Sequence, residues 1–108
     1  MAKIVSDFVR VASISEIPEG KMRKVLVGSQ QVLVVNVKGN YYAIGNVCTH
    51  LGGPLDRGIL EGHEVECPLH RSHFDVTNGQ VKRGPATRPE PVYQVKVDAG
   101  SILVRPTQ

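Results

Sequence analysis

The chain has 108 residues, no tryptophan and two cysteines, and its aromatic side chains are Phe8, Tyr41, Tyr42, Phe74 and Tyr93. No apolar run approaches the roughly 18 residues a membrane-spanning helix needs. Lys3, Asp7 and Arg10 break up the N-terminal stretch, so no signal-peptide-like apolar segment forms there. These absences predict a soluble, cytoplasmic protein, in a compartment that keeps Cys48 and Cys67 reduced. A dense basic tract is also missing. The net charge is +3, but Lys21, Arg23 and Lys24 form one loose group and Lys82, Arg83 and Arg88 another, without the interleaved aromatics of a nucleic-acid stripe. Solvated strand faces account for such a pattern, or steering towards an acidic protein partner.

Long helices are absent too. Ser13-Ile14-Ser15-Glu16 has capping-box spacing, but Pro18 and Gly20 end any helix within about a turn. The remainder reads as strands and turns. Phe8 to Val11 alternates, and the β-branched runs Lys21 to Val27 and Gln31 to Val37 flank Gly28-Ser29-Gln30 as a hairpin. Lys38-Gly39-Asn40 turns the chain into a strand at Tyr41 to Ile44, which stops at Gly45-Asn46. Ile59-Leu60, a turn at Glu61-Gly62 and the alternating His63 to Glu66 follow. Phe74 to Val76 and Val81 flank Thr77-Asn78-Gly79-Gln80, an Asn-Gly hairpin signal. Pro85, Pro89 and Pro91 make residues 84–91 an irregular, stiff loop, since proline cannot donate to a sheet ladder. Tyr93 to Val97, a turn at Asp98-Ala99-Gly100 and Ser101 to Arg105 close the chain. Successive hairpins predict an all-β, mostly antiparallel fold, and the length predicts a single domain, residues 1–108.

Between these hairpins lie both cysteines and two of the four histidines: Cys48-Thr49-His50-Leu51-Gly52-Gly53-Pro54-Leu55, then Cys67-Pro68-Leu69-His70-Arg71-Ser72-His73-Phe74-Asp75. A Cys-x-His pair and a Cys-x-x-His pair suit metal better than a disulfide. Thiolate is a soft, charge-donating ligand, whereas neutral imidazole is borderline and brings no charge. Two such pairs on short loops suffice to close on one metal centre. His63 and His73 lie outside this spacing and are expected at the surface. Gly52-Gly53 lets the main chain approach a bulky inorganic group, or forms a tight turn without a ligand.

The two boxes, together with Gly84-Pro85-Ala86, closely resemble the cluster-binding boxes and proline loop of the Rieske iron-sulfur proteins, and the resemblance runs over essentially the whole chain. It implies an antiparallel β-sandwich with a cluster-binding subdomain of two ligand loops at about residues 45–83, holding one [2Fe-2S] cluster. The spacing alone equally permits one cysteine and one histidine on each iron. The resemblance assigns Cys48 and Cys67 to one iron and His50 and His70 to the other, so these four are the implied metal ligands. The formal charges of two ferric ions, two sulfides and two thiolates then cancel, so the oxidised centre is neutral, where a four-cysteine cluster is a dianion. Rieske potentials accordingly span roughly −150 to +300 mV, against about −400 mV for plant-type ferredoxins.

Ser72 matches a serine that donates to a bridging sulfide in the high-potential respiratory members. Phe74 stands where those members carry a hydrogen-bonding tyrosine, and Gly53 and Leu69 stand where they carry an extra cysteine pair. A potential below the respiratory class follows. Arg71 departs from the glycine many members have after the second histidine; its charge would raise the potential, mark a docking surface or simply be solvated. The implied function is a soluble electron carrier, itself not an enzyme, passing electrons from a flavoprotein reductase to a terminal oxygenase or other oxidoreductase, with no nucleic-acid or membrane partner. The alternatives are the small Rieske subunit of a nitrite reductase and, in another class, a structural zinc module on the same four residues.

Overall fold

In the computed structural model, which describes residues 8–49, 52–69 and 71–105, ten strands form two antiparallel sheets. Six strands build the larger one: β1 (Val9–Ser13), β2 (Met22–Val27), β3 (Gln30–Val37), β4 (Asn40–Gly45), β9 (Val92–Asp98) and β10 (Ser101–Arg105), in the order β1-β10-β9-β4-β3-β2. Four short strands build the smaller one, in sequence order: β5 (Ile59–Glu61), β6 (Glu64–Glu66), β7 (His73–Asp75) and β8 (Val81–Arg83). The expected all-β class holds, and the helical content of the described residues is two single 3₁₀ turns, Ile14–Glu16 and Leu55–Arg57. At the first of these the Ser13 N–H donates to Glu16 Oε2 (3.2 Å), as the capping-box spacing predicts.

Strand β3 is the shared wall of the molecule. Val32, Leu33, Val34 and Val35 are all buried, whereas a strand covered on one face would bury every second residue. Val32 and Val34 join Ala12, Ile17, Val25, Ala43, Tyr93, Ile102 and Val104 in one core, within the larger sheet and its curled edges. Leu33 and Val35 point the other way, with Ile44, into a second core that contains Leu55, Val65, Phe74, Val76, Ala86 and both cysteines. The small sheet lays its inner face on this second side.

The turns follow the glycines. Lys38 (φ 54°) and Gly39 (φ 91°) make the left-handed pair that a two-residue hairpin turn requires, and Ala99 (φ 51°) and Gly100 (φ 80°) do the same between β9 and β10. The Asn-Gly signal at Asn78-Gly79 belongs to a longer loop than the usual two-residue turn. The Asp75 carbonyl accepts the Gly79 N–H (2.6 Å), and the Gln80 carbonyl accepts the Asp75 N–H (2.9 Å). The small sheet leaves and rejoins the larger one at a single place. Ile44 on β4 faces Val92 on β9, and the Gly45 N–H donates to the Pro91 carbonyl (3.0 Å).

Candidate metal centre

Each cysteine opens a loop of the same construction. In the first, the Cys48 carbonyl accepts the Gly52 N–H (2.8 Å) and the Cys48 N–H donates to the Gly53 carbonyl (2.8 Å). In the second, the Cys67 carbonyl accepts the Arg71 N–H (3.0 Å) and the Cys67 N–H donates to the Ser72 carbonyl (2.8 Å). The fourth residue after each cysteine takes the left-handed backbone conformation, Gly52 at φ 78° and Arg71 at φ 61°. Different sequences thus fold into one loop shape, fixed by a pair of hydrogen bonds to the peptide groups of the cysteine.

Both thiols are buried and not joined as a disulfide. The loops touch at Gly53, where an added Cβ would lie 2.8 Å from Cys67 Sγ and 2.9 Å from Leu69 Cγ. Only a residue without a side chain lets the first loop cross the second loop's sulfur so closely. Gly53 and Leu69, the positions that match the extra cysteine pair of the respiratory members, therefore sit face to face without one. His50 and His70, the other two implied ligands, lie outside the described residues. A pair of buried, unbridged thiols on matched loops, with a glycine cradle against one sulfur, fits a thiolate-held inorganic centre.

The proline segment fastens both loops. Thr49 Oγ1 donates to the Arg88 carbonyl (2.6 Å), and the Ala86 N–H donates to Ser72 Oγ (3.1 Å). Ser72 is fully buried; with its oxygen accepting from Ala86, its own proton stays available to donate. Gly84 (φ 96°) presses on the second loop, and a Cβ there would sit 2.6 Å from Ser72 Cα. Asn46 anchors the base of the first loop, since its side-chain amide donates to Asp56 Oδ1 (2.8 Å) and its side-chain carbonyl accepts the Asp56 N–H (2.9 Å). The bridge between Val47 and Pro54 closes that loop.

Three groups near the loops carry buried charge or polarity. His73 was expected at the surface, but its side chain is only 10% exposed. Its Nδ1 lies 3.3 Å from Glu64 Oε1 and its Nε2 3.3 Å from Glu66 Oε1, so cross-strand carboxylates draw it inward. His63, in the β5–β6 turn, remains largely exposed and meets Asp75 Oδ1 at 3.3 Å. Burial pushes the Asp75 carboxyl up, but hydrogen bonds from the Thr77 hydroxyl (2.6 Å) and N–H (2.8 Å), together with His63, outweigh it and leave the pKa below 3.8. Glu90 is 3% exposed, and one carboxyl oxygen has no hydrogen-bond partner. Its desolvation raises the pKa to about 8, opposed only by a hydrogen bond from the Thr49 backbone. Neither Asn46 nor Glu90 stands out in the sequence, because each matters only through the loop it happens to lie beneath.

Residues 7–97 match the family model of the Rieske [2Fe-2S] domain. The chain belongs to that family. It is 33% identical over 102 residues to the ferredoxin component of the naphthalene 1,2-dioxygenase/salicylate 5-hydroxylase systems of Ralstonia sp., an alignment covering 94% of this chain and 98% of that protein. Its structure superposes on the ferredoxin of carbazole 1,9a-dioxygenase from Nocardioides aromaticivorans with a TM-score of 0.91 at 38% identity, covering 94% of this chain and 100% of that one. A chain in a complex of reduced oxygenase and oxidized ferredoxin of carbazole 1,9a-dioxygenase matches with a TM-score of 0.87 at 33% identity, covering 92% and 93%.

Proposed function

We propose that this chain is a Rieske-type ferredoxin that carries one electron at a time from a flavoprotein reductase to a terminal oxygenase, and that it is not itself a catalyst. The observation that carries this reading is the pair of twin loops closing on two buried, unbridged thiols. In this reading Cys48 and Cys67 hold one iron, His50 and His70 hold the other, and the cysteine-bearing part at about residues 45–83 is the cluster-binding region of one domain. When bound, the cluster supplies a one-electron couple whose oxidised form has no net charge. The protein's part is to exclude water from the sulfurs, to hold the two loops in register through Gly53 and the proline segment, and to present the Ser72 hydroxyl as a donor. One electron lost by the reductase is one electron gained by the oxygenase. Similarity to full-length ferredoxin components of dioxygenase systems, and to a ferredoxin seen in complex with its oxygenase, supports these partners. Among the described residues no helix is long and apolar enough to cross a membrane, and a cytoplasmic location, where thiols stay reduced, is part of the proposal.

The test is a visible absorption and low-temperature EPR spectrum of the purified protein before and after dithionite reduction. The expected result is a coloured protein whose reduced form gives the low-average-g signal of a histidine-ligated 2Fe-2S centre. A colourless, EPR-silent protein with one zinc per chain would overturn the reading and make the domain an interaction module.

A further inference from the structure

The twin loops differ at one position in a way that stability does not explain. Where the first loop places Gly52 in the left-handed region, the second places Arg71, at φ 61°. A residue with a β-carbon is strained there and glycine is not. The arginine side chain recovers little within the protein. It is 86% exposed, and its ion pair with Glu66 is loose, with Nε 3.9 Å from Oε2. Glu66 is meanwhile engaged by His73 Nε2 at 3.3 Å. An exposed pair of this length contributes almost nothing. Strain kept without structural return is a mark of function.

The surroundings indicate which function. Leu69, two residues before Arg71, is 52% exposed, and Val47, beside Gly52 in the first loop, is 43% exposed. Each loop therefore leaves an apolar side chain to solvent beside its buried thiol. Exposed cations lie on the segments joined to these loops: Arg88, whose carbonyl holds Thr49, and Arg83, which faces His73 across β7 and β8. The nearby acids of the small sheet, Glu64 and Glu66, are turned to His73. Exposed apolar side chains interspersed with cations complement a protein face that is apolar and edged with carboxylates.

We propose that Arg71 is a docking residue, which pairs its guanidinium with a carboxylate on the acidic face of the electron acceptor while Leu69 and Val47 fill the apolar contact. This rests on the electron-carrier reading. The acceptor is chosen over the donor because the related ferredoxin is found in complex with an oxygenase. The transfer oxidises the reduced centre by one electron and reduces the acceptor by one; no proton or bond changes hands at Arg71.

The test uses the cluster-loaded protein, with its EPR signal verified first, so that failure of the carrier reading is seen separately. Reduced wild type, Arg71→Gln and Arg71→Gly are oxidised in a stopped-flow instrument by an anionic acceptor, tris(oxalato)cobaltate(III), and by a cationic one, hexaamminecobalt(III). At low ionic strength both substitutions are expected to slow the anionic acceptor by about threefold to tenfold and to speed the cationic one, with the rates converging at high salt. Midpoint potentials should stay unchanged, and Arg71→Gly should melt no lower than wild type because it relieves the left-handed residue. Equal rates for wild type and Arg71→Gln with both acceptors would overturn the proposal. So would a potential shift large enough to explain the rates, which makes Arg71 a tuning residue, or a lower melting point for Arg71→Gly, which makes it structural. A loss seen only when a flavoprotein reductase donates, with oxidation unchanged, would move Arg71 to the donor's interface and overturn the assignment to the acceptor.

Discussion

At the scale of single residues, Ser72 and Glu90 make opposite demands on the site. Ser72 has an acceptor role filled by Ala86 and a proton left to give. A hydrogen bond to a sulfide stabilises the reduced, more negative centre, so Ser72→Ala should lower the midpoint. A net value of about 1–1.5 kcal/mol for the bond, at 59 mV per tenfold for one electron, corresponds to a fall of about 43–65 mV, read by voltammetry. An unchanged midpoint would leave Ser72 as a turn residue held by the proline loop. Glu90 instead has a raised pKa, about 8 against 4.5, because burial penalises its charged form. A group whose folded pKa is raised contributes stability that is fully present below its unfolded pKa and is lost as pH rises through the folded value. The protein should therefore lose stability between about pH 4.5 and pH 8, by up to about 5 kcal/mol at 1.36 kcal/mol per unit. Thermal melts over that interval should slope downward for wild type and flatten in Glu90→Gln.

At the scale of the elements, the two loops depend on what their glycines leave out. Gly53→Ala would set a Cβ 2.8 Å from Cys67 Sγ, and the expected outcome is loss of cluster loading, visible as reduced iron and absorbance per chain. Gly84→Ala should act on the second loop through Ser72 Cα, 2.6 Å away, and would also strain a residue at φ 96°. Much of this level was legible in advance. The hairpins at Gly28, Gly39 and Gly100 and the irregular run at residues 84–91 follow from turn chemistry and proline, which act locally. The Cys-x-His and Cys-x-x-His boxes were equally plain. The loops' shared hydrogen-bond pattern was not, because Gly52 and Arg71 resemble each other only in backbone angle. The burial of His73 was missed for a similar reason: alternation along β7 gives its face, but the carboxylates that draw it in come from β6.

At the scale of the whole molecule, the second core is the support of the site. Cys48 and Cys67 belong to the same buried cluster as Phe74, Val65 and Leu33, so the thiols are positioned by close packing as well as by their loops. Phe74→Ala, which empties a fully buried aromatic site, should cost about 3–5 kcal/mol and loosen the cluster before the larger sheet. Chemical denaturation followed by cluster absorbance and by far-ultraviolet circular dichroism should then show the visible band lost first. Coincident transitions would mean that the two cores unfold as one. The sequence could not reveal this division, since it is made by β3 facing two ways, and an uninterrupted run such as Val32 to Val35 says only that a strand is buried on both sides.

The meeting of β4 and β9 has a consequence for how such a molecule can be taken apart and reused. The segment that carries both cysteines leaves the frame after Gly45 and returns at Pro91, where the Gly45 N–H meets the Pro91 carbonyl. The chain is thus spliced like a cassette into an otherwise ordinary hairpin, and a short turn joining Ile44 to Val92 would bridge the gap. Such a frame would expose Leu33, Val35 and Ile44, together with the Met22, Val37 and Tyr42 side chains that pack beside them, so a soluble version would need polar side chains across that face. Moved in the other direction, the segment from Asn46 to Glu90 is a transplantable electron port, demanding of its host two adjacent antiparallel strands and an apolar sheet face to sit on.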